Sequence, residues 1–124
     1  MEAMEARFKA VCLKLWGPEG GEETYHWIKK TRPAYFHSLA IQAMTPIWES
    51  DRLDIRTKIL CCIGVFTALN RTEVEFFMKM AAYHAIPREE VEEILLLTGL
   101  EAGFPVAEMA VQYLTKAYDP AVGQ

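Results

Sequence analysis

The chain has 124 residues, of which 52% are hydrophobic and 24% charged, with a formal net charge of -4. That is one domain's worth of sequence, and its acidic balance, with Lys and Arg scattered rather than clustered, gives no electrostatic footprint for nucleic acid. The longest apolar block, ILCCIGVF at 59–66, is too short to cross a bilayer, which takes roughly 20 helical residues, so no membrane is expected as a partner.

The apolar share is generous for a small domain, which has much surface for its volume, and a homo-oligomer is therefore expected to cover the surplus. The opening MEAMEARFKAVCLKLW is acidic and amphipathic, whereas a secretory signal is basic and then continuously apolar. Cys12, Cys61 and Cys62 make an odd count with two neighbours in sequence, where a disulfide between them would be strained. Reduced thiols and a cytoplasmic location are the expectation. No Cys-x-x-Cys and no pair of histidines at helical spacing occurs, so the pattern offers no metal site.

Hydrophobic spacing is helical nearly throughout. Met4, Phe8, Val11, Cys12 and Leu15 form one stripe on a first helix that Gly17 and Pro18 end, and GPEGGEE is read as a loop. A short helix through Tyr25, Trp27 and Ile28 stops before Pro33, because the residue preceding proline avoids helical angles. AYFHSLAIQAM then runs to Pro46. Asp51 or Asp54 can cap the next helix, whose middle, ILCCIGVFTAL, has almost no polar face. It is expected to be central and surrounded on all sides, with Cys61 and Cys62 as buried packing residues. Asn70 followed by Glu73 fits a capping box, and that helix reaches about His84. Pro87 with Glu89 and Glu90 opens another helix, Gly103 and Pro105 end it, and a last one passes through Met109, Val111 and Leu114 to about Tyr118. The expected class is all-α, six or seven helices in a single domain.

Three stretches together resemble the carboxymuconolactone decarboxylases, relatives of the alkylhydroperoxidase D-like proteins. They are IWESDRLDIRTKIL at 47–60, LNRTEVEFFMKMAAYHAIPREEVEEILLLTGLEAGFP at 69–105, and the small-residue run after Pro105. The resemblance covers roughly residues 33–118, leaving 1–32 as N-terminal helices and a Gly-rich loop. It implies an all-helical subunit forming trimers or hexamers, with pockets lined partly by neighbouring subunits. It also implies chemistry without cofactor or metal on small cyclic acids, in which a lactone loses carbon dioxide and a proton reaches the carbon left behind. Such a site needs an apolar pocket and a well-placed acid.

The chain departs from the family at telling positions. Phe77 stands where the decarboxylases carry a histidine; Asn70 and Glu73 stand where the peroxidases have Cys-x-x-Cys, and Ile59 where they have glutamate. Thiol peroxidase chemistry thus loses its apparatus. Glu101 occupies a place where decarboxylase relatives usually show tyrosine, so the resemblance suggests a pocket that lost a histidine and acquired a carboxyl.

On a helix Glu101 shares the stripe of Ile94 and Leu97 and is buried if they are. A carboxylic acid held in an apolar pocket stays protonated and can act as a proton donor; the plainer reading is an acid at a helix end turned into water. His37 is a second candidate for proton transfer, or a partly exposed structural histidine, while His26 and His84 have weaker claims. Trp48 is a packing anchor, a pocket wall, or both. Arg56 and Lys58 follow an RTR-like pattern of the family the chain resembles, which suits Arg56 to a substrate carboxylate or to an ion pair, and only the alignment to the family nominates Phe77 for the pocket, since Phe76, Phe77 and Met80 otherwise read as core. The leading expectation is a small homo-oligomeric enzyme doing proton transfer, whether decarboxylation or isomerisation, on a small cyclic or aromatic oxo-acid or lactone. The rival is a non-catalytic oligomeric protein that kept the scaffold and lost the site.

Overall fold

The computed structural model describes residues 2–31 and 33–119, and every regular element in them is helical. In order these are α1 (Glu2–Thr31), α2 (Pro33–Tyr35), a π-helical stretch (Phe36–Met44), α3 (Thr45–Glu49), α4 (Ile55–Ala68), α5 (Val74–Tyr83), α6 (Arg88–Ala102) and α7 (Phe104–Tyr118). The chain packs as two compact units, Met1–Leu53 and Asp54–Gln124, so the start of the family-like stretch at residue 33 falls inside the first unit. None of the described helices is long and apolar enough to cross a membrane.

In the first unit the expected loop GPEGGEE is not a loop. Only Gly17 leaves helical geometry, at φ 89 and ψ 172, a left-handed φ that favours glycine. Pro18, whose fixed φ suits a first helical turn, restarts the helix at once. The halves of α1 fold back on each other: Tyr25 Oη donates to Glu5 Oε1 at 2.6 Å, Lys29 Nζ meets the same carboxylate at 2.8 Å, and Lys9 Nζ lies 3.1 Å from Glu22. Gly21 marks the closest approach. A Cβ there would sit 2.4 Å from the Cys12 carbonyl oxygen, so this glycine, which looks like a loop residue, is a contact residue. The core of this unit gathers Phe8, Cys12, Tyr25, Ile28, Phe36 and Ile41. The Phe36 ring stands edge-on to Phe8 and Tyr25, each 5.5 Å away. Arg7 closes the unit through a forked pair with Glu49.

The second unit is a four-helix cluster in which α4, α5 and α6 all meet α7. Asp54 caps α4 as expected, its Oδ1 accepting the Thr57 amide at 2.8 Å. The expected capping box at Asn70 is absent. Asn70 instead has φ 57 and ends α4: its amide donates to Thr67 O at 3.0 Å and the Arg71 amide to Phe66 O at 2.9 Å, the paired bonds of a left-handed helix terminus. Glu73 turns to Arg71 and Thr72, at 2.7 and 3.3 Å.

The same terminus recurs at the end of α5, but with Ala85 at φ 56. The Ala85 amide donates to Ala82 O and that of Ile86 to Ala81 O, and Ile86 is buried. A β-carbon in this conformation costs roughly 1–2 kcal/mol, whereas glycine loses about 0.4–1 kcal/mol through its freer unfolded chain. Strain outweighs entropy here. Ala85→Gly is therefore expected to raise stability by roughly 0.5–1 kcal/mol, read as a higher thermal midpoint, and a lower midpoint would contradict the left-handed assignment.

α4 is not enclosed. Ile59, Ile63 and Thr67 are its buried residues, while Cys61, Val65 and Leu69 are exposed. Within the second unit α5, α6 and α7 pack against α4 on the face of Ile59, Ile63 and Thr67, and the apolar side chains of its other side stay open. Lys116 Nζ pairs with Glu75 at 2.9 Å across α5 and α7, and Tyr118 Oη donates to Ile86 O at 2.7 Å.

Candidate functional site

The five nominated residues divide between the units: His37 and Trp48 belong to the first, Arg56, Phe77 and Glu101 to the second. The His37 side chain lies outside the described residues. Trp48 is buried on α3. Arg56, in the first turn of α4, spends its guanidinium on Glu90 in the first turn of α6. Phe77 is half-buried and stacks on Phe66 of α4, ring centres 5.0 Å apart at 26°.

Glu101 lies at the other end of α6 from Glu90, eleven residues and about 16 Å along the axis. Arg56 and Glu101 are thus not brought together. The expectation that Glu101 shares a buried stripe does not hold within this chain. The residues that α6 buries are Val91, Leu95 and Gly99; Ile94 is half-buried, and Leu97 and Glu101 are exposed. The reason is local. α6 ends at Ala102, the chain reverses at Gly103 (φ 108), and Phe104 folds back over Gly99, where a Cβ would lie 2.6 Å from its ring, leaving the last turn uncovered beside Glu101.

Two of the neighbours of Glu101 on α6 are apolar and open: Leu97 stands one turn before it and Leu100 adjoins it, both more than half exposed. Leu96, Phe104 and Val111 continue this surface into a groove of about 310 Å³ between α6 and α7, floored by Leu95, Ala107 and Leu114 and edged by Arg88, Glu92 and Glu108. Arg88 is held by Asp119 and, at 3.0 Å, by Glu92. The groove was missed in the pattern of the sequence, although a signal existed: three consecutive leucines, Leu95 to Leu97, advance 100° each and cannot all face one core.

The cysteines differ from expectation. Cys61 is exposed and Cys62 half-buried, because the helices of the second unit pack on the other face of α4, that of Ile59, Ile63 and Thr67. Burial raises the Cys62 thiol, helped by neighbouring Cys61, and pushes buried Cys12 up to about 12, which makes Cys12 a packing residue rather than a nucleophile. Among the described residues no group of three or more His, Cys, Asp or Glu is placed to hold a metal. No protein family, characterised protein or solved structure matches this chain.

Proposed function

We propose that the chain works as a homo-oligomer joined through the α6–α7 face, and that the assembly supports decarboxylase-like proton transfer, without cofactor, on a small cyclic or aromatic oxo-acid or lactone, with Glu101 as the acid. The observation that carries this reading is the position of Glu101, exposed in one chain yet next on α6 to the exposed Leu97 and Leu100. A second copy seated on these side chains would take the carboxyl out of water. That is the environment a protonated donor requires.

The argument for a second copy is one of area. Leu96, Leu97, Leu100, Phe104 and Val111 leave on the order of 500 Å² of apolar side chain open, at the upper end of what monomers tolerate. A stable interface takes about 800 Å² from each partner, and homodimers draw about 65% of that from apolar atoms, or roughly 520 Å². The face supplies what a self-association needs.

A specific observation favours the non-catalytic rival. Arg56 is engaged by Glu90 and Phe77 by Phe66, so two residues nominated for the site have structural work of their own. One experiment separates the readings. Sedimentation of the wild type and of Glu101→Gln is paired with incorporation of solvent deuterium into a panel of small cyclic oxo-acids and lactones. Catalysis by Glu101 predicts that the variant assembles normally yet exchanges roughly 100-fold more slowly. Equal exchange by both proteins removes Glu101 from the mechanism, and no exchange with any substrate by the wild-type oligomer leaves the scaffold reading.

A further inference from the structure

The α6–α7 face is acidic as well as apolar, and its charge limits what can cover it. Glu92 and Glu108 edge the groove, and Arg88, the cation that lines it, is already held by Asp119 and Glu92. Glu89 and Glu93 are exposed on α6, and neither they nor Glu108 meets a cation among the described residues. Residues 54–124 hold ten acidic and six basic side chains, so the second unit carries the whole net charge of -4 and the first is balanced at seven of each. A two-fold contact would press this face against itself, and like charges opposed across an interface are strongly unfavourable. The groove calls instead for an apolar anchor with a positive charge beside it.

The chain carries such a counterpart in its first unit. Trp27 on α1 is 41% exposed, and Lys30, three residues on, lies on the same helical face. Lys29 is spent on Glu5, whereas Lys30 is exposed and meets no carboxylate among the described residues. The Thr31 hydroxyl donates to the Trp27 carbonyl at 2.6 Å, which ties the turn that carries both side chains. Arg52 beside exposed Leu53 has similar chemistry, but tryptophan is enriched among the anchors of interfaces and leucine is under-represented.

We propose that the α6–α7 groove of one copy receives the end of α1 from a second copy, with Trp27 against the apolar floor and Lys30 beside the rim carboxylates, Glu108 foremost. This rests on the self-association proposed above and gives it a direction. The contact is heterologous: each copy offers one surface and receives with another.

Sedimentation at micromolar concentration tests it, with helical dichroism as the check on folding. Lys30→Glu should weaken assembly by roughly tenfold or more, and adding Glu108→Lys to it should recover part of that loss. Trp27→Ala with Lys30→Glu should leave a monomer. Mixed with the monomer carrying Leu97→Glu and Leu100→Glu, it should form a dimer, because one variant keeps an intact groove and the other an intact α1 end. If the Trp27→Ala, Lys30→Glu protein assembles as the wild type does, the inference falls while self-association stands; a monomeric wild type overturns both. Should Trp27→Ala unfold the first unit, the exposed Lys30→Glu and its charge swap decide: no weakening, or no recovery, removes the end of α1 from the groove.

Discussion

Gly21→Ala is expected to unfold the first unit or lower its stability by about 3 kcal/mol or more. The added Cβ would lie 2.4 Å from Cys12 O, 2.6 Å from Leu13 Cα and 2.7 Å from Cys12 C. All three are backbone atoms, so no side chain can rotate away. Relief requires the halves of α1 to part near their tightest crossing, which would loosen Phe8, Cys12 and Tyr25 in the core they share. Alanine is the better helix former by about 0.5–1 kcal/mol. Overpacking typically costs 1–3 kcal/mol, and a backbone-to-backbone clash belongs at or above the top of that range. The clash wins. A unit of some fifty residues has little stability in reserve, so loss of near-ultraviolet dichroism from Tyr25 and Trp16 on heating should move down by ten degrees or more. An unchanged or higher transition would mean that the halves of α1 do not approach as closely as described.

Placing charge on the α6–α7 face should abolish self-association while sparing the fold. Leu97→Glu with Leu100→Glu alters two side chains that are 55% and 68% exposed, so the folded chain gives up little core. In the proposed assembly the same positions are covered, and each carboxylate would have to be desolvated against an apolar partner, at a cost of several kcal/mol apiece. Two such costs weaken association by roughly three orders of magnitude or more. Sedimentation at micromolar concentration should then show a 14.1 kDa monomer with unchanged helical dichroism. Persistence of the oligomer in this variant would place the contact elsewhere and remove the support for a covered Glu101. The position of Asp54 offers a control: it caps α4 rather than α6 or α7, and its hydrogen bonds from Thr57 hold its carboxyl below the ordinary range. The cap's stabilisation is present above the ordinary carboxylate pKa and lost as pH falls through the folded value. Acid sensitivity of the fold should therefore be the same in the wild type and in the charged variant.

The helices themselves were legible because their signals are local. Asp54 before an apolar run, Pro87 before two glutamates, and Gly103 before Pro105 each state a boundary through the needs of three or four consecutive backbone groups. Where reading by local pattern failed, the same residues had two uses. Gly21 is punctuation in a loop or space in a helix crossing, and only the partner backbone at Cys12 decides between them. Asn70 is equally suited to start α5 or to end α4, since its short side chain and its tolerance of positive φ serve either role, and the paired amides of Asn70 and Arg71 settle it. Arg56 was suited to a substrate carboxylate or an ion pair, and Glu90 of α6 took it.

What the sequence determined by itself is the all-helical class, most helix boundaries and an apolar content beyond what one small core absorbs, because these follow from periodicity, capping chemistry and composition, each a property of neighbouring residues or of the chain as a whole. Which apolar residues go inside is another matter. The helical period assigns Leu97 and Glu101 to one stripe but cannot say whether a neighbouring helix covers it, and the middle of α4 has almost no polar face while its helical neighbours within the second unit cover only one side. Burial is a property of pairs of elements distant in the chain. Only the tertiary structure decided that Thr67 is enclosed, that Cys61 is open, and that the last turn of α6 carries its leucines and its acid on the outside.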